Sequence, residues 1–256
     1  MSVADRPLTH ATSWWEPVEG ERYERGRPDY PPAAADLLAR LLDLRPGARV
    51  ADVAAGTGKL TRRLVQSRAQ VVAVEPMPGM RAQLAERVPD AMVVAARAER
   101  LPLAARSLDG VAVAQAFHWF DVAAASAELR RVVRPGGRLA LVNNRRLLTA
   151  PWLEAVGQIL ARYERLAPRP ESSRRWRQDL EATGDWGPFS RFTFDHEQRF
   201  ERREDFDARF ESISYVILLA EDDRQELLRK LRGVVAGVDP VAVPLRTEIE
   251  VASRRP

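Results

Sequence analysis

The feature that most constrains this chain is the rhythm of its first half. Short apolar runs alternate with segments patterned at helical spacing from residue 31 to residue 143. Pro31–Leu44 starts on a proline and places Ala35, Leu38, Leu41 and Leu42 at helix spacing; Pro46-Gly47 stops it. Arg49–Ala54, Gln70–Glu75, Ala91–Ala95, Asp109–Ala114 and Gly137–Asn143 read as strands. Gly58–Ser67, Pro78–Arg87 and Ala123–Val133 read as helices between them. Strand and helix alternating at this pace requires parallel strands joined by crossover helices. The expected fold class is therefore α/β, a doubly wound sheet with helices on both faces.

The second half has a different pattern. Trp152–Leu166, Arg174–Thr183, Asp205–Leu219 and Asp222–Val235 read as helices. Ser190–Phe200 alternates with period two through Phe192, Phe194 and His196, and Pro244–Ala252 does so through Leu245, Thr247, Ile249 and Val251. These two late strands complete a seven-stranded sheet. No linker is clean enough to split the chain, so a single domain over residues 1–256 is expected. Within it, residues 1–30 form an N-terminal cap, 31–144 a ligand-binding core, 145–189 a helical lid and 190–256 the completion of the sheet. Arg162–Arg177, rich in Arg, Pro and Ser, reads as a surface connection or part of that lid.

Composition removes several classes of chemistry. There is no cysteine, which excludes disulfides, thiolate zinc sites and a cysteine nucleophile. No apolar stretch approaches the ~20 residues needed to cross a bilayer, and no apolar signal core follows the N-terminus. The expectation is a cytoplasmic protein without a membrane partner. The net charge of +4 does not point to nucleic acid: the 36 acids are interspersed with the bases, and only Lys59 and Lys230 are lysine.

The segment that carries chemistry is Val50-Ala51-Asp52-Val53-Ala54-Ala55-Gly56-Thr57-Gly58-Lys59-Leu60, a strand that ends in a turn of small residues and enters a helix. Small residues there let a ligand press against backbone, and open α/β sheets bind ligands beyond the carboxyl ends of their strands. A dinucleotide fingerprint is not met, because the third glycine position is Thr61. About 20 residues on, Glu75 ends the second strand, where an acid can accept hydrogen bonds from ribose hydroxyls.

With these pieces the chain resembles the class I S-adenosylmethionine (SAM) dependent methyltransferases, which have a Rossmann-like fold. It is similar to the small-molecule branch that includes ubiquinone/menaquinone and trans-aconitate methyltransferases. The resemblance rests on Asp52–Gly58, Ala73–Pro76, Ala98–Pro102 and Leu129–Leu139. Gln115–Asp121 and the leader Tyr23–Pro31 match a narrower branch. It covers roughly residues 20–144.

The resemblance implies SAM as cofactor and assigns roles. Asp52 and the turn Ala54, Ala55, Gly56 and Gly58 would face its methionine part. Glu75 would hold the ribose, with Pro76 beside the adenine, Met80 packed nearby, and Ala98 and Glu99 at the adenine edge. Gln115, Ala116 and His118 would lie beside the sulfonium. The family often has glycine where this chain has Ala54, which fits the turn if its φ is negative. Arg27 would pair with the SAM carboxylate and Tyr23 would cover the cofactor.

His118 stands at a strand end. It is a candidate general base for a hydroxyl or amine acceptor, or else a pocket wall. Trp119 and Phe120 read as core. Arg145, Arg146, Arg174, Arg175 and Arg177 either grip an acidic substrate or form a solvated face. Trp14, Trp15, Trp152, Trp176 and Trp186 lie in segments expected to cap the site. No metal constellation is present. The expected activity is methyl transfer from SAM to an O, N or C nucleophile of a small molecule, driven mainly by positioning. The alternatives are a SAM-binding protein of this fold without methyl transfer, a relative that uses SAM for cyclisation or decarboxylation, and a nucleic-acid methyltransferase. Against the last, Gln115-Ala116-Phe117-His118 stands where enzymes acting on base amino groups carry Asn/Asp-Pro-Pro-Tyr/Phe. The sequence leaves the acceptor and the oligomeric state open.

Overall fold

The computed structural model describes residues 17–164, 175–217, 219–238 and 241–256. Seven strands form one sheet: β1 (Arg49–Val53), β2 (Gln70–Val74), β3 (Met92–Val94), β4 (Leu108–Ala114), β5 (Val133–Arg146), β6 (Ser190–Phe200) and β7 (Val241–Ser253), in the order β3-β2-β1-β4-β5-β7-β6. The pairs β1/β2, β1/β4, β2/β3 and β4/β5 are parallel. This is the doubly wound, mostly parallel arrangement expected from the alternation. The order reverses direction at β1, which puts a crevice beyond the carboxyl ends of β1 and β4.

The chain divides into two compact units, assembled from residues 29–144, 171–194 and 247–256, and from residues 1–28, 145–170 and 195–246. We call them the core unit and the helical unit. The expected segments 145–189 and 190–256 are thus each split between the two. The sequence shows no linker for a physical reason: three of the boundaries fall inside β5, β6 and β7, where strand patterning continues without a break.

In the core unit, α2 (Pro32–Leu41), α3 (Thr61–Leu64), α4 (Pro78–Arg87), α5 (Val122–Val132) and α7 (Arg175–Ala182) accompany the strands. Two clusters fill it. One gathers Val53, Val111, Val113, Leu139 and Leu141 with Leu129 of α5 and Leu180 of α7. The other gathers Val50, Val71, Ala112, Ala140 and Ile249 with Leu38 of α2 and Leu64 of α3. Consecutive residues such as Val111 and Ala112 go to different clusters, as the period of two along a strand demands. Each such leucine contributes about 1.5–3 kcal/mol on burial. Gly137 is required where β5 bulges against β4: a Cβ there would sit 2.6 Å from the Asp109 carbonyl oxygen.

The helical unit contains α1 (Pro17–Gly26), α6 (Pro151–Glu164), α8 (Arg203–Glu211), α9 (Ser214–Ile217) and α10 (Glu221–Val234). Its core joins Val156 and Leu160 of α6, Phe206 and Phe210 of α8, and Leu227, Leu228 and Leu231 of α10. The rings of Phe206 and Phe210 meet edge-on at 4.8 Å. Gly26 permits close approach of α1 to α8, since a Cβ would fall 2.0 Å from the Ala208 carbonyl oxygen. The helix expected over 205–219 is two helices. Between them the Ser212 hydroxyl donates to the Arg209 carbonyl and Ile213 N–H donates back only three residues, to Phe210.

Candidate functional site

The carboxyl ends of β1, β2 and β4 carry the residues the sequence singled out. Asp52 is fully buried near the end of β1. Thr61 of α3 donates its hydroxyl to Asp52 Oδ2 at 2.6 Å, while Oδ1 has no hydrogen-bond partner among the described residues. Burial pushes the Asp52 carboxyl up to about 7; Thr61 opposes the rise and the charge of Glu75 adds to it. Thr61 occupies the position where a dinucleotide fingerprint has glycine. Sequence reasoning used it only as a departure, yet it is the residue that fixes Asp52.

The turn after β1 is tight. Ala54, Gly56 and Gly58 have φ of 60°, 59° and 90°. The condition set for Ala54, a negative φ, is not met: Ala54 is left-handed, at a cost of about 1–2 kcal/mol for an L residue. The turn holds it there through Ala55 N–H to Val74 O and Gly58 N–H to Ala55 O, both 3.0 Å. Gly58 disfavours any side chain: its φ of 90° strains an L residue, and a Cβ would press on Leu84 Cδ1 at 2.6 Å and Val88 Cγ2 at 2.9 Å. The helix expected over Gly58–Ser67 is one α-turn, Thr61–Leu64, continued as a 3₁₀ turn over Val65–Ser67.

Glu75 is 3% exposed and does not project as a solvated strand-end acid. Gly56 N–H donates to its Oε2 at 2.9 Å and Met77 N–H to its Oε1 at 2.8 Å. The carboxylate thus clamps the glycine turn to the β2–α4 connection, with lone pairs left for a ligand. Burial pushes its pKa up, against the two backbone donors and the charge of Arg81. Arg81 in turn donates to the carbonyls of Glu75 and Pro76, each at 3.0 Å. Met80 is buried, with its sulfur 3.8 Å from where a Gly56 Cβ would be.

Ala98 is buried, and Glu99 accepts from Asp121 N–H at 3.1 Å and pairs with Arg97 at 3.3 Å. Asp121 caps α5 by accepting from Ala124 N–H. Gln115, just after β4, is also left-handed, with φ of 56°. Its N–H donates to Val142 O at 2.9 Å and its side-chain amide to Asn144 O at 3.2 Å. Beyond Ala116, Phe117–Trp119 form a 3₁₀ turn that carries His118, which is 7% exposed with its ring 5.0 Å from that of Trp119. Phe117 and Phe120 are buried 5.2 Å apart, and Phe117 lies 5.5 Å from Trp176, so these aromatics are core.

Asn144 is a residue that sequence reasoning missed. It is buried, donates to Asp29 O at 3.3 Å and accepts the Thr247 hydroxyl at 2.5 Å. A single asparagine at the end of a strand gives no sequence signal, because its partners are distant in the chain.

Several other candidates have contacts of their own. Tyr23 and Arg27 belong to the helical unit; Arg27 donates to Ser212 O at 2.8 Å and stacks 5.1 Å from the Tyr23 ring. Arg177 pairs with buried Glu250 at 3.4 Å and with Glu181 at 3.0 Å, and lies over the Phe189 ring, which accounts for it structurally. Trp186 is buried and donates to the Ser126 hydroxyl, while Trp152 packs in the helical unit. Trp14, Trp15 and Arg174 lie outside the described residues. Among the described residues there is no cluster of acids and histidines able to hold a metal, and no helix is long and apolar enough to cross a membrane.

Residues 51–141 match the family model of a methyltransferase domain. An uncharacterized methyltransferase of Mycobacterium bovis is 49% identical over 142 residues, 55% of this chain and 56% of the relative. The demethylmenaquinone methyltransferase of Beutenbergia cavernae is 40% identical over 112 residues, 43% of this chain and 45% of that one. The chain spans a little over half the length of the first of these relatives and less than half of the second. A solved structure from Anaeromyxobacter dehalogenans, assigned as a type II methyltransferase, superposes with a TM-score of 0.62 at 27% identity. The match covers 90% of this chain and 97% of that one. The geranyl diphosphate C-methyltransferase of Streptomyces coelicolor, solved with S-adenosylhomocysteine (SAH), shares the fold at a TM-score of 0.52 and 15% identity, covering 87% and 79%. Residues 51–141 are thus similar to a methyltransferase domain, and the fold is one that these solved methyltransferases share.

Proposed function

We propose that this chain binds SAM through the core unit and transfers its methyl group to an O, N or C nucleophile of a small molecule. The observation that carries the reading is the clamp at the end of β1. There Glu75 fixes the left-handed glycine turn through Gly56 N–H, beside an Asp52 oxygen that is buried and unbonded. Such an oxygen costs stability unless a ligand donates to it. The fit to SAM follows from the donor set: two carboxylates suit a cationic, hydroxyl-rich ligand, and the small turn admits close approach to backbone.

When bound, SAM supplies a methyl group made electrophilic by a cationic sulfur. The rest is the work of the chain. Glu75, held by two backbone N–H groups, would accept the ribose hydroxyls. Asp52 and Ala54–Gly58 would hold the methionine portion, and Pro76, Met80, Ala98 and Glu99 would line the adenine. Gln115 and Ala116 would position the wall that ends in His118. His118 would take the proton from a hydroxyl or amine acceptor. Displacement of this kind draws most of its acceleration from orientation and exclusion of water.

Calorimetry tests the reading directly. SAM and SAH are expected to bind with micromolar dissociation constants, about −8 kcal/mol. Glu75→Ala should weaken both by about 1.5–3 kcal/mol for each charge-assisted bond lost, with the protein still folded. Absence of heat and of thermal shift with either ligand defeats the proposal. An unchanged dissociation constant in Glu75→Ala moves the ribose elsewhere.

A further inference from the structure

Asp52 and Glu75 end adjacent parallel strands, both buried, each within the other's electrostatic reach. Two like charges in one low-dielectric site cannot both persist without compensation. The groups that face Asp52 supply little. From α3 there is the Thr61 hydroxyl, while Arg63 of that helix is turned to Asp29. From β4 the residue beside Asp52 is Ala112. From β2 and its end there are Ala73 and Glu75. Arg81 of α4 bonds backbone carbonyls and its charge is felt by Glu75.

The two carboxyls are also unequal. Backbone N–H groups bond both oxygens of Glu75, which favours its ionised form. Asp52 has a donor on Oδ2 alone, and its Oδ1 is buried and unbonded. An unbonded neutral carboxyl costs far less than an unbonded carboxylate. On the premise that the cofactor reading above holds, we propose that Asp52 is a proton-for-ammonium exchange site. It holds a proton before a ligand binds. A ligand with an α-ammonium group, such as SAM or SAH, takes that proton's place beside Oδ1. The proton passes to the solvent, so the charge at the pair stays balanced. The upward displacement of the Asp52 carboxyl to about 7 places this exchange in the physiological range.

The experiment is titration calorimetry of the whole chain with SAH at pH 5.5, 6.5 and 7.5, each in two buffers of different ionisation enthalpy. Expected is release of close to one proton per SAH at pH 5.5, falling as the pH approaches 7.5. Affinity should rise nearly tenfold per pH unit in the lower range and then level off. Adenosine, which lacks the ammonium, should release no proton. Asp52→Asn should abolish the release and flatten the pH dependence, and Glu75→Gln should move the release to lower pH by removing the neighbouring charge. SAH binding at pH 5.5 without proton release overturns the exchange while leaving the cofactor reading intact. Release that persists in Asp52→Asn overturns the assignment to Asp52. No SAH binding at any pH overturns both.

Discussion

The core unit and the helical unit are built by different rules. In the core unit, local sequence and tertiary structure agree position by position. Strands are short apolar runs, Gly56 and Gly58 take the positive φ of the turn after β1, and α5 starts on a capping aspartate. In the helical unit the stabilising events are contacts between elements far apart in the chain. Gly26 of α1 lies against Ala208 of α8, and α6 packs with α10 across a ring cluster. A site that must hold a ligand needs defined backbone at strand ends, and that requirement writes motifs. A helical assembly needs only apolar faces, which many sequences satisfy.

The strongest challenge to this contrast is His118→Asn. If the motif-bearing unit also carries the proton transfer, turnover on a hydroxyl or amine acceptor should fall by about 10²–10⁴ with SAM affinity nearly unchanged. The fall should come with loss of the acid limb of the pH–rate profile. A collapse of SAM affinity instead would make His118 a cofactor or packing residue.

The next test asks whether the units melt as two bodies. Leu38 of α2 and Leu227 of α10 are both essentially inaccessible. Replacing either with alanine should cost about 2–5 kcal/mol. Scanning calorimetry should show Leu38→Ala depressing one transition and Leu227→Ala another. A single transition shifted by both erases the distinction.

A third test compares stability with function inside the core unit. The carboxyl of Asp52 is raised in the folded chain, so the native state holds its proton to higher pH than the unfolded state does. Its contribution is full below the unfolded value of 3.8 and is lost as pH rises toward about 7, at up to about 1.4 kcal/mol per unit. Asp52→Asn should therefore raise the melting temperature at pH 8 more than at pH 4. Equal shifts at both pH values would show that burial of Asp52 carries no such cost.

The smallest effect is expected in the helical unit. Arg232 of α10 makes a forked pair with Asp207 of α8, its Nη2 at 2.7 Å from Oδ2, on a partly exposed surface. Arg232→Gln should cost less than about 1 kcal/mol in chemical denaturation. A larger loss would mean that polar contacts, not the ring cluster, define that unit.

What was legible in the sequence follows the same line. The seven strands have signals within a few residues of themselves, whereas the roles of Asp52 and Glu75 come from the resemblance and stand as proposals. Met80, Ala98 and Glu99 were singled out only through the resemblance; Met80 lies in the first turn of α4, and Ala98 and Glu99 in the connection between β3 and β4. The two-unit division was hidden because the boundaries fall within strands, and strands carry no linker composition. Thr61 was visible only as a departure from a glycine template: its hydroxyl matters through a contact nine residues back, which such a template does not test. The left-handed φ of Ala54 and Gln115 was hidden because neither residue type announces that conformation.

One feature of the core unit bears on how such a chain can be remodelled. Asn144 is the last residue of its first stretch, Asp29 the residue that opens it, and Thr247 the residue that opens its final stretch. All three are tied together by the amide of Asn144. Three cut ends thus meet at one buried knot. A protein engineer who wished to exchange the helical-unit stretches that follow residue 144 and precede residue 247, keeping residues 171–194 with the scaffold, would have a natural splice point there. The knot would keep the loose ends of the scaffold in register while the graft was exchanged.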